Sequence, residues 1–443
     1  MSPDESFPDQ VKDDAELEAL YRFVNNERVT FEALLAPHIL ATGARASAAG
    51  EILVLHDTTT FSFGGEAPRR GLGRIKKGGQ GFSAHTGLVV RASDGEPLGV
   101  VGAVPVVRDG PLKPRAATRA KVYDHQREFE RWESLVDQSI KRLPGCTAIH
   151  VMDREADAYP LFCKLLKAGQ DFVIRCKDDR VLDVPRGDKA QPRHLYDAVD
   201  QAPLMLTREV ELSTTRPDRM ARLRKTPARM MRTAFLRVTA TSVDVRHPPY
   251  TAGKSRKGSE LPRAVPLNVV HAYEVNPPEG QEPVEWLLYT TLSVDTAEHV
   301  ATVIDHYRRR WLIEEYFKAL KTGCAYETRQ LESKHALLNA LGLFIPIAWR
   351  LLTLRYMARE TPNLSALRVL SARQLEILCA RDKVALSAQP TVREAMLAVA
   401  AEGGHIKNNG EPGWRVLARG YQQLLQIEIG YVLGQVRRKC DQS

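Results

Sequence analysis

The period of hydrophobic and polar positions changes several times along the chain, and each change marks an element. Residues 14–45 carry apolar positions at helical spacing, in AELEALYRFVNN and then TFEALLAPHILATGAR, with Thr30 placed to cap the second helix. At Glu51 the pattern becomes a continuous apolar run, EILVLHD, which predicts a buried strand ending on Asp57. A glycine-rich basic loop follows, and HTGLVVRAS and PLGVVGAVPVVR then predict an antiparallel hairpin around Asp94-Gly95. A helix is expected over roughly 121–143, closed by Pro144-Gly145, and after it a second short apolar strand, TAIHVMD, ending on Asp153. Residues 156–168 read as helix and DFVIRC as strand.

Three strands, a helix, a strand, a helix and a strand, in that order, predict an α/β fold. The architecture it fits is an RNase H-like mixed sheet, in which the first strand lies beside the fourth and both present a carboxylate at one edge. Between 178 and 285 the prolines, charges and short β-like pieces (MLTREVELST, TAFLRVTATSVDV, PLNVVHAYEV) predict a β-rich insertion. EWLLYTTL then returns to strand, and 296–320 and 333–359 to helix. From about Thr361 the chain reads as helical, with a last helix over 414–436. The expected division is a helical piece at 1–45, a core at 46–177, the insertion at 178–285, the rest of the core at 286–360 and a helical region at 361–443.

Composition narrows the function. The 443 residues are 43% hydrophobic and 26% charged, which excludes disordered and fibrous classes. No run approaches the roughly 18 apolar residues of a membrane helix, so no membrane partner is expected. The acidic opening MSPDESFPDQVKDDAELEAL lacks a signal core, and the six cysteines are widely spaced without a CxxC. The expected location is therefore a reducing cytoplasm. Sixty-three Lys and Arg against 54 acids give a net charge of +9, which favours a polyanionic partner. The cations cluster: Arg216 to Arg237, then Lys254, Arg256 and Lys257, and earlier Arg69, Arg70, Arg74, Lys76 and Lys77. Each cluster also reads as a solvated surface loop.

The chemistry concentrates in the helix before Gly323. Tyr307, Arg310, Glu314 and Lys321 fall within about 60° of one another on a regular helix and form a stripe about 21 Å long. One reading is a solvated face laced with Arg310–Glu314 and Glu314–Lys318 pairs. The other makes Glu314 the third member of an acidic triad with Asp57 and Asp153. Three converging carboxylates repel one another unless a cation binds among them, and hard oxygen ligands suit Mg²⁺ or Mn²⁺. Two such ions serve in-line displacement at phosphorus. Arg310 and Lys321 would then anchor phosphates, and Tyr307 would add a hydroxyl or a stacking face. Each aspartate alone also reads as an ordinary strand-end turn residue.

The spacing Tyr307-x2-Arg310-x3-Glu314-x6-Lys321 resembles the Y-R-E-K signature of DDE transposases of insertion-sequence family four, the Tn-five-like cut-and-paste class. LHDTT around Asp57, MDREAD around Asp153 and YRRRWLIEEYFKALKTG around Glu314 carry the same resemblance, which runs from about Leu20 to the C-terminus. It implies that Asp57, Asp153 and Glu314 form a metal-binding catalytic triad holding two Mg²⁺ ions, with Mn²⁺ as a substitute. It further implies that Tyr307, Arg310 and Lys321 hold double-stranded DNA, transposon ends and target alike, around a flipped base. Trp286 lies where the family places an aromatic at that base, and Arg175 where it makes a DNA contact. Plain core packing and a structural salt bridge are the competing readings of these two. The C-terminal helices are expected to pair two subunits, and Trp414, Leu417, Tyr421 and Leu424 form a stripe that suits either that interface or the domain's own core.

Family members usually carry a longer N-terminal helical region that reads the transposon end. Here the pattern is entered at ALYRFVNN, so 1–45 reads as a shortened form of it. Two functions follow. The first is a DNA transposase that cuts, forms a hairpin and transfers strands. The second is a shortened DNA-binding or pairing protein that inhibits a full-length transposase.

Overall fold

The computed structural model describes residues 13–65, 67–75, 79–107, 122–185, 191–212, 232–248, 261–406 and 410–440. Helices α1 (Asp14–Asn25) and α2 (Phe31–Ala49) start where the sequence supplies caps: the Asp13 side chain accepts from Ala15 N–H and Thr30 from Ala33 N–H. Strands β1 (Glu51–Phe63), β2 (Gly73–Arg74), β3 (Gln80–Arg91) and β4 (Pro97–Val106) follow. Next come α3 (Val122–Arg142), β5 (Thr147–Met152), α4 (Tyr159–Lys167), β6 (Asp171–Arg175) and α5 (Leu195–Asp200). The β3–β4 hairpin turns at Asp94-Gly95, where Gly95 takes φ 79° and its N–H bonds to Arg91 O.

β1 pairs antiparallel with β3 and parallel with β5, and β5 pairs parallel with β6. One expectation needs correcting here. β1 does not end at Asp57 but runs on to Phe63. Its parallel ladder with β5 closes at Leu55–Val151, because β5 stops at Met152, while the β3 ladder continues to Phe63–Gln80. Asp57 therefore sits just past the end of one ladder and within the other.

The insertion adds its strands to the core sheet. Its strands β7 (Leu204–Leu212), β8 (Arg232–Arg246) and β9 (Ala264–Glu274) join β10 (Glu285–Thr290), which pairs antiparallel with β6. The order is β2-β3-β1-β5-β6-β10-β9-β8-β7, with β4 also on β3, so one sheet spans all the strands of the described residues. The alternation explains this. Ala234, Leu236 and Val238 of β8 bury into the same core as Leu288 of β10, so extending the sheet both covers an open edge and shares a hydrophobic layer. The basic segment from Arg216 to residue 231, the cluster Lys254, Arg256 and Lys257, and Lys76 and Lys77 lie outside the described residues.

On one face of the sheet pack α6 (Ala297–Arg309), α7 (Trp311–Lys318) and α8 (Lys334–Glu360), then α9 (Ala372–Arg381), α10 (Val392–Glu402) and α11 (Trp414–Cys440). On the other pack α3, α4 and α5. By length and composition α8 would pass as a membrane span, but 72% of that stretch is buried inside the protein, so it serves as a core helix. The expectation that no run reaches membrane-helix length is corrected by this helix, whose apolar positions are interspersed with polar ones such as Asn339 and Arg350. The α11 stripe also goes to the core: Leu417, Tyr421 and Leu424 are buried in the chain's own domain, and the exposed apolar residues of that helix are Ile429, Tyr431 and Leu433.

Candidate active site

Strand alternation decides which side chains reach the site. Leu53 and Leu55 of β1 and Ile149 and Val151 of β5 face the large core under α6–α8, and Asp57 and Asp153 continue those rows on the same face. Asp57 Oδ1 accepts the N–H of Thr58 at 2.7 Å. Asp153 caps a 3₁₀ turn over Arg154–Ala156, its Oδ1 accepting Glu155 N–H at 2.9 Å. Both carboxylates are thus oriented by the backbone at a strand's polar edge.

Glu314 arrives on α7, and here the expected single helix is broken. Arg310 N–H bonds to Tyr307 O at 3.0 Å and Ile313 N–H to Arg310 O at 3.2 Å, a tight turn between α6 and α7. A second irregularity follows over Ala319–Gly323, where Cys324 N–H reaches back five residues to Ala319 O. The four signature residues therefore do not form one straight stripe. Tyr307 is buried, Arg310 stands at the turn, Glu314 lies in the first turn of α7, and Lys321 sits on the π-turn.

The turn sends Arg310 between the acids. Its guanidinium lies 2.6 Å from Glu314 Oε1 and 3.4 Å from Asp57 Oδ2, with the side chain only 14% exposed. Burial pushes the Asp57 carboxyl up to about 6, Arg310 and the Thr58 N–H pull it down, and Asp153 and Glu314 push it up again. Asp153 and Glu314 therefore both act electrostatically on Asp57. As placed, no three His, Cys, Asp or Glu side chains among the described residues stand close enough together to grip one ion. The donor chemistry nevertheless suits a hard divalent cation: three carboxylates with mutual repulsion, two of them already compensated by a guanidinium. Asp57, Asp153 and Glu314 are the residues that would hold such an ion.

Lys321 Nζ donates to Thr60 O at 2.6 Å and lies 3.8 Å from Glu327, whose carboxylate also accepts Ser62 N–H at 2.8 Å. Burial lowers the Lys321 ammonium and Glu327 partly restores it. The Tyr307 ring packs edge-on against Trp286, centroids 6.0 Å apart, on the site's face of the sheet. Arg175 Nη2 donates to Glu285 O at 2.9 Å, tying β6 to β10. Of the early basic cluster, Arg69 is spent on the backbone carbonyls of Gly64, Arg329 and Leu331, while Arg74 is exposed.

Two groups escaped the sequence reading. Glu327 follows Lys321 by six residues across an irregular turn, so no helical spacing could pair them. The histidines His56, His85 and His150 lie behind the acids, and here alternation was a usable signal, since His56 immediately precedes Asp57 and must face the opposite way. Trp311, three residues before Glu314, is a half-exposed aromatic with Lys318 Nζ 5.4 Å from its ring centre.

The family described as transposase DDE domain matches residues 117–345, and one described as transposase DNA-binding matches residues 1–29. The first span holds Asp153, Arg175, Trp286, Tyr307, Arg310, Glu314 and Lys321, and Asp57 precedes it. Among solved structures the chain is similar to a piggyBac transposase synaptic complex with hairpin DNA, determined by cryo-electron microscopy, at 11% identity and a TM-score of 0.28. The match covers 83% of this chain and 64% of that one.

Proposed function

The chain belongs to the DDE transposase family, and from that premise we propose that it is a cut-and-paste DNA transposase of insertion-sequence family four, acting as a homodimer on the DNA of the cytoplasm. The observation that carries this reading is the bridge that the Arg310 guanidinium makes between Glu314, on α7, and Asp57, on the face where β1 and β5 present the two aspartates. An RNase H-like core is supported by the order β4-β3-β1-β5-β6, with antiparallel pairs on one side of β1 and parallel pairs on the other.

Asp57, Asp153 and Glu314 would hold Mg²⁺, which when bound supplies Lewis-acid stabilisation of charge at phosphorus and a more acidic attacking water or hydroxyl. The protein's own residues do the positioning. Arg310 offers a planar fork to a phosphate, and Lys321 a point charge at the end of β1. Trp286 against Tyr307 offers an aromatic corner beside the acids, fit to stack a base turned out of the duplex. In the first step the oxygen of water bonds to phosphorus and the bond from phosphorus to the 3′-oxygen breaks, leaving a 3′-hydroxyl and a 5′-phosphate. That hydroxyl then bonds to a phosphorus of the opposite strand, whose bond to the 3′-oxygen of the flanking DNA breaks to leave a hairpin on the element's end. A second water bonds to that phosphorus and releases the element's 3′-hydroxyl again, which joins a target phosphorus as the bond from that phosphorus to the target's own 3′-oxygen breaks. Pairing of two chains is supported by the exposed Ile429, Tyr431 and Leu433 on α11.

The test is incubation of the protein with a duplex bearing the terminal repeats that flank its own gene, with Mg²⁺ or with EDTA, resolved on a denaturing gel. A Mg²⁺-dependent nick followed by a hairpin product is expected. Binding with no strand cleavage in Mg²⁺ would instead fit an inhibitor that only pairs and binds.

A further inference from the structure

Arg310 differs from the arginine beside it. Arg309 is fixed by backbone carbonyls: its guanidinium donates to Ala92 O and, at 2.7 Å, to Ser93 O in the β3–β4 turn. Arg310 is held instead by two carboxylates, Asp57 and Glu314, and both are groups for which a divalent cation competes. The remaining oxygen of Asp57 is already engaged by the Thr58 N–H. A cation that takes Asp57 Oδ2 and Glu314 Oε1 competes with the guanidinium for both oxygens. Arg310 sits at the tight turn between α6 and α7.

Resting on the function proposed above, we propose that Arg310 is an exchangeable internal counter-ion: it neutralises the acids until a divalent cation claims them, and the displaced guanidinium then becomes available to a DNA phosphate. Before exchange its charge lowers the repulsion among Asp57, Asp153 and Glu314. After exchange the same charge faces the substrate side, where bidentate recognition of phosphate suits a guanidinium better than an ammonium. Cation loading and capture of the duplex are thereby coupled through one side chain, and the coupling is reciprocal. Lys321 is outside this exchange, since its partners are Thr60 O and Glu327.

The experiment is labelling of the wild-type protein, without DNA, by an arginine-selective dicarbonyl reagent in the presence and absence of Mn²⁺, read by peptide mass spectrometry. Arg309 is the internal reference. Mn²⁺ is expected to speed labelling of Arg310 several-fold and leave Arg309 unchanged; Arg310 labelling that is unchanged or slowed overturns the exchange. A Mn²⁺ titration followed by electron paramagnetic resonance gives the second arm. Arg310→Ala should bind Mn²⁺ roughly tenfold more tightly than wild type, equivalent to about 1.4 kcal/mol. Arg359→Ala, which removes the ion pair to Glu315, should bind as wild type does. Equal or weaker binding by Arg310→Ala also overturns the exchange. If neither wild type nor Arg310→Ala binds Mn²⁺, the proposed function falls with it; if wild type binds and Arg310 stays protected, only the exchange falls.

Discussion

On one face of β1 and β5 stand Asp57 and Asp153; on the other, in the same strands, stand His56 and His150. The first pair is partly open to solvent, and its Asp57 is paired with the Arg310 guanidinium. The second is fully buried, and His56 Nε2 lies 2.8 Å from His150 Nδ1. His85 of β3 bonds to Thr58 Oγ1 at 2.9 Å, and Trp132 of α3 packs over both His56 and His85. Burial holds His150 down to about 4 and His56 and His85 well below their usual value, so this face is polar but neutral. A period of two thus places an exchanging, cation-seeking surface directly over a sealed one. The contrast teaches where each kind of damage should appear: chemistry lost on the front, stability lost on the back.

Replacing a front acid should give the largest effect. Glu314→Gln is expected to slow Mg²⁺-dependent strand cleavage by about a thousandfold, corresponding to roughly 4 kcal/mol of lost charge stabilisation. Its thermal midpoint should stay near that of wild type. Retained cleavage, or a collapse of stability instead, breaks the comparison.

Acid should act on the buried histidines, His150 of the sealed layer among them. His38, His150 and His306 are each lowered to about 4, chiefly by burial, from the ordinary 6.5. Below pH 6.5 the unfolded chain takes up protons that these groups refuse in the fold, so stability falls as pH drops from 6.5 towards 4 and levels off below it. Each should remove on the order of 1 kcal/mol by about pH 5.5. The urea midpoint should drop accordingly between neutral pH and pH 5.5, and a flat profile would contradict the sealed face.

A back-face substitution gives a smaller change of the same kind. His150→Ala strands the buried Nε2 of His56 and should cost about 1–3 kcal/mol in denaturant unfolding. Cleavage per folded molecule should change far less than in Glu314→Gln. The smallest effect expected is at the rim: Lys321→Met should weaken duplex binding modestly and reduce the slope of log affinity against log salt by about 1. An unchanged slope would leave Lys321 as a purely internal tie to Thr60 and Glu327.

Much of this arrangement is legible before any coordinates. The apolar runs ending in LHD and HVMD mark β1 and β5, and Thr30 and Ser333 mark helix starts that the structure uses as caps. What pattern reading misses is set by tertiary pairing. β1 continues past Asp57 because β3 supplies a partner there, and no local signal encodes the partner's length. A regular helix through 296–320 is the natural extrapolation of a 3.6 period, yet the turn at Arg310 and the π-turn at Ala319–Gly323 are stabilised by contacts hundreds of residues away, Asp57 and Thr60. The insertion looks like a separate module in sequence because its hydrophobic alternation does not say which edge it joins; β10, lying antiparallel to β6, supplies that edge. Glu327 lies beyond spacing arguments for the same reason, whereas the histidine layer follows from the alternation that turns His56 away from Asp57.

The most direct test of the account is calorimetric titration of Mn²⁺ into the wild-type chain and into Asp57→Asn, Asp153→Asn and Glu314→Gln. Saturable binding by wild type, weakened at least about tenfold in each of the three, is the predicted result. Wild-type affinity in all three variants would show that these carboxylates do not share an ion.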